Sequence, residues 1–180
     1  NCRAVDVLGG AVRDRVAVDW WCHRQTPEGL ASEAKLAKSR GFTGLKTKSV
    51  AGDHAEEHVA AVAEAVGKDF RLVIDPMTQW IDPLTALDTI ARIEKIGAAV
   101  RLEDPFPHHM PELWRRARSV SKIPLIWHAR DLSILTAGLR EQCADGFNIA
   151  GGHREFLTMA HAIEVRSEEH TSELQSPCNL

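Results

Sequence analysis

The feature that most constrains the fold is an alternation of short apolar segments with longer amphipathic ones, at a repeat of about 25 to 30 residues. Continuous apolar runs such as Leu72-Val73-Ile74 are typical of strands buried on both faces, as in a parallel sheet. Six such segments predict strands at 16–20, 44–48, 71–75, 100–104, 124–128 and 146–150. The intervening segments predict helices near 27–41, 54–67, 82–97, 111–120, 134–143 and 154–165.

Six strand–helix units without a hairpin signal predict an α/β fold, an incomplete TIM-type (β/α) barrel. The alternative is an open doubly wound sheet, but no G-x-G-x-x-G pattern follows the first strand. A complete barrel has eight units and typically about 250 residues, so we expect a partial barrel over 16–165 after a preceding segment, 1–15. Residues 166–180 begin R-S-E-E-H-T-S-E-L-Q-S, which resembles a translated sequencing adapter, and we expect a non-native disordered tail.

Composition excludes several classes of partner. The net charge is -3 and the signs are interspersed, which argues against nucleic acid. No apolar run approaches the roughly 20 residues that span a membrane. The four cysteines form no C-x-x-C pair, which favours reduced thiols and a cytoplasmic protein.

Charged residues end the predicted strands, where barrel active sites lie. Lys46 and Lys48 are two residues apart on one strand, so both side chains point to the same side, which we expect to be the barrel interior, or lumen. Two ammonium groups this close disfavour each other's charge, which suits one of them to act as a general base. The alternative is a solvated strand end.

Asp75 and Glu103 end the next two strands, and Lys48, Asp75 and Glu103 follow one another at intervals of 27 and 28 residues. Two neighbouring carboxylates repel unless a cation or a proton lies between them. Mg²⁺ prefers such oxygen ligands and would act as a Lewis acid on a substrate carboxylate. The alternative is a pair of salt bridges to Lys46 and Lys48.

The motifs G-F-T-G-L-K-T-K, R-L-V-I-D-P-M-T-Q-W and R-L-E-D-P, in this order and spacing, resemble the enolase superfamily, in its mandelate racemase/muconate lactonizing enzyme branch. The resemblance implies abstraction of a proton α to a carboxylate and an enediolate stabilised on Mg²⁺. It implies Lys48 as the base, Lys46 as the group that polarises the substrate carboxylate, and Asp75 and Glu103 as metal ligands. It also implies a capping domain and two further strands, for which this sequence has no counterpart.

The chain departs from the family pattern at several positions. Met77 replaces the usual Asn two residues after the first metal ligand, and the fifth strand ends in His128-Ala129 where the family has its third acidic ligand. His128 is therefore a candidate for the metal or the substrate, with a structural role as the alternative, and Asp131 is a further candidate ligand. Asn148 on the sixth strand and His23 after the first are candidate substrate contacts.

The sequence thus predicts a fragment of a Mg²⁺-dependent acid-sugar dehydratase or racemase. The expected partner is a small carboxylate, with an acid sugar favoured, and the parent protein is expected to form a homo-oligomer. Two alternatives stay open. One is a non-catalytic barrel relative that has lost its metal site, which Met77 and Ala129 favour. The other is a Schiff-base aldolase with Lys46 or Lys48 as the nucleophile.

Overall fold

The computed structural model describes residue 6 and residues 15–149, in which six strands alternate with five helices. The strands are β1 (Trp20–Trp21), β2 (Gly44–Lys48), β3 (Arg71–Asp75), β4 (Val100–Glu103), β5 (Leu125–Ala129) and β6 (Gly146–Ile149). The helices are α1 (Pro27–Ser39), α2 (Ala55–Val66), α3 (Pro83–Ile96), α4 (Pro111–Val120) and α5 (Leu132–Glu141). None of the helices in these residues is long and apolar enough to cross a membrane.

The six strands form one parallel sheet in which each strand pairs with its neighbour in sequence, in the order β1-β2-β3-β4-β5-β6. A doubly wound sheet reverses its strand order at a switch point, and this order has no reversal. The partial TIM-type barrel is therefore confirmed, and the doubly wound alternative is wrong.

The helix starts follow from local capping chemistry. Thr26 accepts a hydrogen bond from the backbone N–H of Gly29 and precedes Pro27, the first residue of α1. Asp82 caps α3 in the same way, and Pro83 supplies a φ already suited to a helix. These caps begin each helix within a few residues of its strand, which keeps the connecting loops short.

Each strand has one face toward the helices and one toward the lumen, because successive side chains alternate. The helix-facing side chains are buried and form the core with the apolar faces of the helices; they include Leu45, Thr47, Leu72, Ile74, Leu102, Leu125 and Trp127. The opposite set faces the lumen and carries most of the charge: Lys46, Lys48, Arg71, Asp75, Arg101, Glu103, His128 and Asn148.

The prediction for the first strand is wrong, because the strand begins at Trp20 and not at residue 16. Pairing with β2 starts at Trp20↔Leu45, and within the described residues those before Trp20 pair with no strand. Val16 and Val18 are consequently exposed, at 54% and 67%. His23 lies two residues beyond the strand end and does not terminate it.

The other described elements agree with the predictions to within about three residues. β4 ends at Glu103 and not at residue 104, because Asp104 turns into the left-handed region with a φ of 46°. α5 begins at Leu132, earlier than predicted, because Asp131 caps it. The predicted final helix, the preceding segment apart from residues 6 and 15, and the C-terminal tail lie outside the described residues.

Candidate functional site

The candidate site lies at the C-terminal ends of β2, β3 and β4, on the lumen side. The register pairs Lys48 with Asp75, which places the two side chains on adjacent strands at the same level. Asp75 and Glu103 are 4% and 3% exposed, whereas Lys46 and Lys48 are partly exposed. The alternation of K-x-K thus places both ammonium groups over a pair of buried carboxylates, as the sequence predicts.

The two lysines pair with the two carboxylates. The Lys46 Nζ lies 2.6 Å from Glu103 Oε1 and 3.4 Å from Asp75 Oδ2. The Lys48 Nζ donates a hydrogen bond to the same Asp75 Oδ2, and the other Asp75 oxygen accepts from the backbone N–H of Met77 at 2.9 Å. The salt bridges from Asp75 and Glu103 to the two lysines, which are the alternative to a metal site, are therefore present.

Glu103 also joins the ends of β5 and β6 to the site. Its Oε1 accepts a hydrogen bond from Asn148 Nδ2 at 2.8 Å and lies 3.8 Å from His128 Nδ1. The other ring nitrogen of His128, Nε2, is buried without a hydrogen-bond partner. An unpaired buried polar atom costs free energy, so His128 has capacity for one more contact.

The end of β5 presents His128 and not Ala129 to the lumen, because Ala129 is fully buried on the helix side. Asp131, the other candidate ligand, caps α5 by accepting from the backbone N–H of Ile134 at 2.9 Å and from the Ser133 hydroxyl. These hydrogen bonds hold the pKa of Asp131 below its usual value, and the bond from Ser133 has the largest effect. The capping role accounts for Asp131 without a metal.

His23 does not join the ion-paired cluster. It is exposed, its ring lies 4.5 Å from that of Trp21, and its carbonyl accepts from Thr47 Oγ1 at 3.1 Å. None of its described contacts reaches the lysines or the carboxylates. Its role as a substrate contact stays a prediction.

The structure shows a group of contacts around Asp104 that sequence reasoning missed. The Asp104 Oδ1 accepts from the backbone N–H of His128 at 2.8 Å and contacts His108 Nε2 at 2.8 Å. The His108 ring stacks on that of Trp127 at 4.2 Å between centroids, and Trp127 precedes His128. Asp104 therefore holds the end of β5 against the end of β4, where Glu103 lies.

A divalent cation fits between Asp75 and Glu103 by the chemistry of these groups. One ammonium nitrogen, that of Lys46, contacts an oxygen of each carboxylate, so a single cation can reach both. Mg²⁺ is often held by one or two carboxylates and completes its octahedron with water or substrate oxygens. Among the residues that the structure describes, no group of three or more His, Cys, Asp or Glu side chains is arranged to hold a metal.

A cavity of about 660 Å³ opens on the lumen side nearer the N-terminal ends of the strands. Of the cluster residues it touches Glu103, and its walls include Val73, Arg101 and Ile126. The cavity therefore lies beside the ion pairs and does not contain them.

Comparison with known proteins identifies the family. A profile described as "Enolase C-terminal domain-like" matches residues 29–178. A D-gluconate dehydratase from Thermoproteus tenax is 29% identical, over 93% of this chain and 38% of its own length. The chain thus spans well under half the length of this relative.

Solved structures agree. A mandelate racemase/muconate lactonizing family protein from Azoarcus sp. EbN1 is 29% identical with a TM-score of 0.74, covering 89% of this chain and 45% of its own. A dipeptide epimerase from Cytophaga hutchinsonii, solved with Mg and the dipeptide D-Ala-L-Val, has a TM-score of 0.77 at 22% identity, covering 90% of this chain and 45% of its own. The chain belongs to the enolase superfamily, as part of the C-terminal barrel domain of its mandelate racemase/muconate lactonizing branch.

Proposed function

We propose that the protein abstracts the proton α to the carboxylate of a small substrate, as an acid-sugar dehydratase or a racemase. The observation that supports this most directly is the contact among Lys46, Lys48, Asp75 and Glu103 at the strand ends. Such a cluster provides a base, a cation for the substrate carboxylate and two anionic ligands for a metal. These are the groups that the reaction needs.

Each residue has a distinct role in this proposal. Lys48 is the base: it leaves its Asp75 partner, releases its own proton to solvent and then takes the α-proton as a neutral amine. Lys46 binds the substrate carboxylate by charge, and Asp75 and Glu103 hold Mg²⁺. When bound, Mg²⁺ supplies Lewis acidity toward the substrate carboxylate.

His128 and Asn148 complete the lumen side of the site. Asn148 orients Glu103 through its amide, and the Nδ1 of His128, 3.8 Å from Glu103 Oε1, is the ring nitrogen that faces the cluster, whereas Nε2 is buried. We favour a substrate contact because imidazole suits Mg²⁺ poorly. On this assignment water or substrate oxygens fill the remaining positions around the metal.

A sugar acid is the favoured substrate class, and a dehydratase the favoured reaction. The support is the 29% identity to a D-gluconate dehydratase across 93% of this chain. The epimerase likeness, at 22% identity, supports only the fold. The homo-oligomeric state stays a prediction, which light scattering on the full-length protein tests.

A non-catalytic relative is the second candidate. Two observations favour it: the described residues hold no cluster of three metal-ligating side chains, and both candidate ligands are already paired with lysines. The Schiff-base alternative gains no such support, because the ion pairs bear equally on a lysine that acts as a base and on one that acts as a nucleophile. The two surviving candidates differ in whether Mg²⁺ binds.

Calorimetric titration with Mg²⁺ separates them. The protein is produced in the full length that its gene encodes, beside an Asp75→Ala/Glu103→Ala variant. A matched control replaces two carboxylates with exposed side chains, Asp88→Ala/Glu112→Ala. We expect binding in the wild type and in the control, and loss of binding in the first variant.

Absence of Mg²⁺ binding in the wild type would favour the non-catalytic relative. Where Mg²⁺ binds, sugar acids are screened in D₂O by NMR. Exchange of the α-hydrogen for deuterium, or formation of a 2-keto-3-deoxy product, is expected in the wild type and absent in Lys48→Met. Persistent exchange in Lys48→Met would refute Lys48 as the base.

A further inference from the structure

The Lys46 ammonium group lies between the two candidate metal ligands. Its nitrogen is 2.6 Å from Glu103 Oε1 and 3.4 Å from Asp75 Oδ2. Both carboxylates are nearly inaccessible to water, so solvent screens their mutual repulsion poorly. The Lys46 ammonium group, placed between them, offsets this repulsion by its charge.

We propose that Lys46 and a divalent metal ion compete for Asp75 and Glu103, so that metal binding displaces the ammonium group from between them. This inference rests on the proposed metal site. A metal ion held by both carboxylates would need the space between them that the Lys46 nitrogen occupies. The ammonium group and the metal therefore exclude each other.

The charges of the cluster favour this competition. Lys46, Lys48, Asp75 and Glu103 carry two positive and two negative charges, which balance. A divalent ion makes the cluster doubly positive, so Mg²⁺ binds less tightly alone than together with an anionic substrate. The released Lys46 is then free to contact the substrate carboxylate, and the coupling between metal and substrate is reciprocal.

The test is Mg²⁺ titration by calorimetry, without substrate, on the full-length wild type and three variants. Lys46→Met removes the competing charge at nearly constant volume, and Lys46→Arg retains the charge. The control is Lys38→Met, because Lys38 lies on α1 and its ammonium group donates to the carbonyl of Val66, away from the cluster. Circular dichroism and thermal melting confirm that each variant is folded.

We expect Lys46→Met to bind Mg²⁺ at least about tenfold more tightly than the wild type, which is about 1.4 kcal/mol. Lys46→Arg and Lys38→Met are expected near the wild-type value. If Lys46→Met binds Mg²⁺ and the wild type does not, the competition is supported and the proposed Mg²⁺-dependent function of the wild type is contradicted. Equal or weaker binding in Lys46→Met would overturn the competition and leave the proposed function intact, and no binding in either protein would overturn both.

A second measurement needs no substitution and remains decisive if Lys46→Met fails to fold. Reductive methylation of the wild type, read by mass spectrometry, reports the accessibility of each lysine amine. Saturating Mg²⁺ is expected to accelerate methylation of Lys46 at least about threefold and to leave Lys38 unchanged in the same digest. An unchanged or slower rate at Lys46 would refute its displacement.

Discussion

Replacing Asp104 is expected to be among the most damaging single changes near the site. Its carboxylate, with a side-chain exposure of 8%, binds the backbone N–H of His128 and the ring of His108, each at 2.8 Å. A hydrogen bond to a charged group contributes about 1.5 to 3 kcal/mol, and a buried donor left unpaired costs about 1 to 3 kcal/mol. Alanine also tolerates the φ of 46° less well than Asp.

These contributions combine to a loss of about 3 to 5 kcal/mol in the free energy of unfolding for Asp104→Ala. This loss is smaller than the full sum because the His108 ring regains some contact with water. Asp104→Asn keeps the shape, an acceptor for the His128 N–H and tolerance of the left-handed φ, so its expected loss is about 1 kcal/mol. Urea unfolding of the full-length protein measures both. With a slope of about 2 kcal/mol per M, the midpoint falls by about 2 M for Ala and about 0.5 M for Asn.

Asp88→Ala is the control, since Asp88 is an exposed residue of α3 and loses a surface ion pair to Arg92. If the free energy of unfolding of Asp104→Ala lies within about 1 kcal/mol of that of this control, the buried hydrogen bonds of Asp104 do not stabilise the fold as expected. Equal losses in the Ala and Asn variants would show that the charge of the carboxylate matters and its hydrogen-bonding shape does not.

Three further predictions concern packing and titration. Gly138→Ala is expected to destabilise the protein by about 1 kcal/mol, because its new Cβ would lie 2.7 Å from Phe147 Cε1, and a stabilised variant by thermal melting would contradict this. Burial raises the pKa of Cys143 to about 11, so iodoacetamide at pH 8 is expected to label it only after unfolding; rapid labelling of the native protein, seen by mass spectrometry, would be inconsistent with that burial. The hydrogen bonds from Thr85 hold the pKa of Asp82 below its usual 3.8, so its stabilising effect is full above that pH and is lost as pH falls through the lower folded-state pKa. Asp82→Asn is expected to flatten this part of the acid unfolding curve, and an unaltered curve would argue against it.

The sequence predicts the strand-end cluster well because its signals are local and periodic. The two-residue spacing of Lys46 and Lys48 fixes their common face, and the intervals to Asp75 and Glu103 match one strand–helix unit each. The register then pairs Lys48 with Asp75 as expected. The two-residue periodicity of a strand is a property of the backbone, so it can be read from the sequence without knowledge of tertiary contacts.

The contacts around Asp104 could not be found in this way because they cross between strands. His108 follows β4 in a loop, yet its ring stacks on Trp127 of β5 and contacts Asp104. The left-handed turn at Asp104 carries no glycine signal. Val16 and Val18 likewise pair with no described strand, which the sequence could not show, because a β-branched run predicts a strand whether or not a neighbouring strand pairs with it.

The alternation along β2 has a consequence for how such a protein can acquire new chemistry. Leu45 and Thr47 are buried toward the helices, whereas Lys46 and Lys48 face the lumen. Substitutions at the lumen positions leave the helix-facing core in place. The residues that can change the chemistry of the site are therefore different from those that stabilise the fold, although both lie in one short segment. A randomised library confined to 46, 48, 75, 103 and 128 should therefore yield mostly folded proteins, whereas one confined to 45, 47, 72, 74 and 102 should yield mostly insoluble ones.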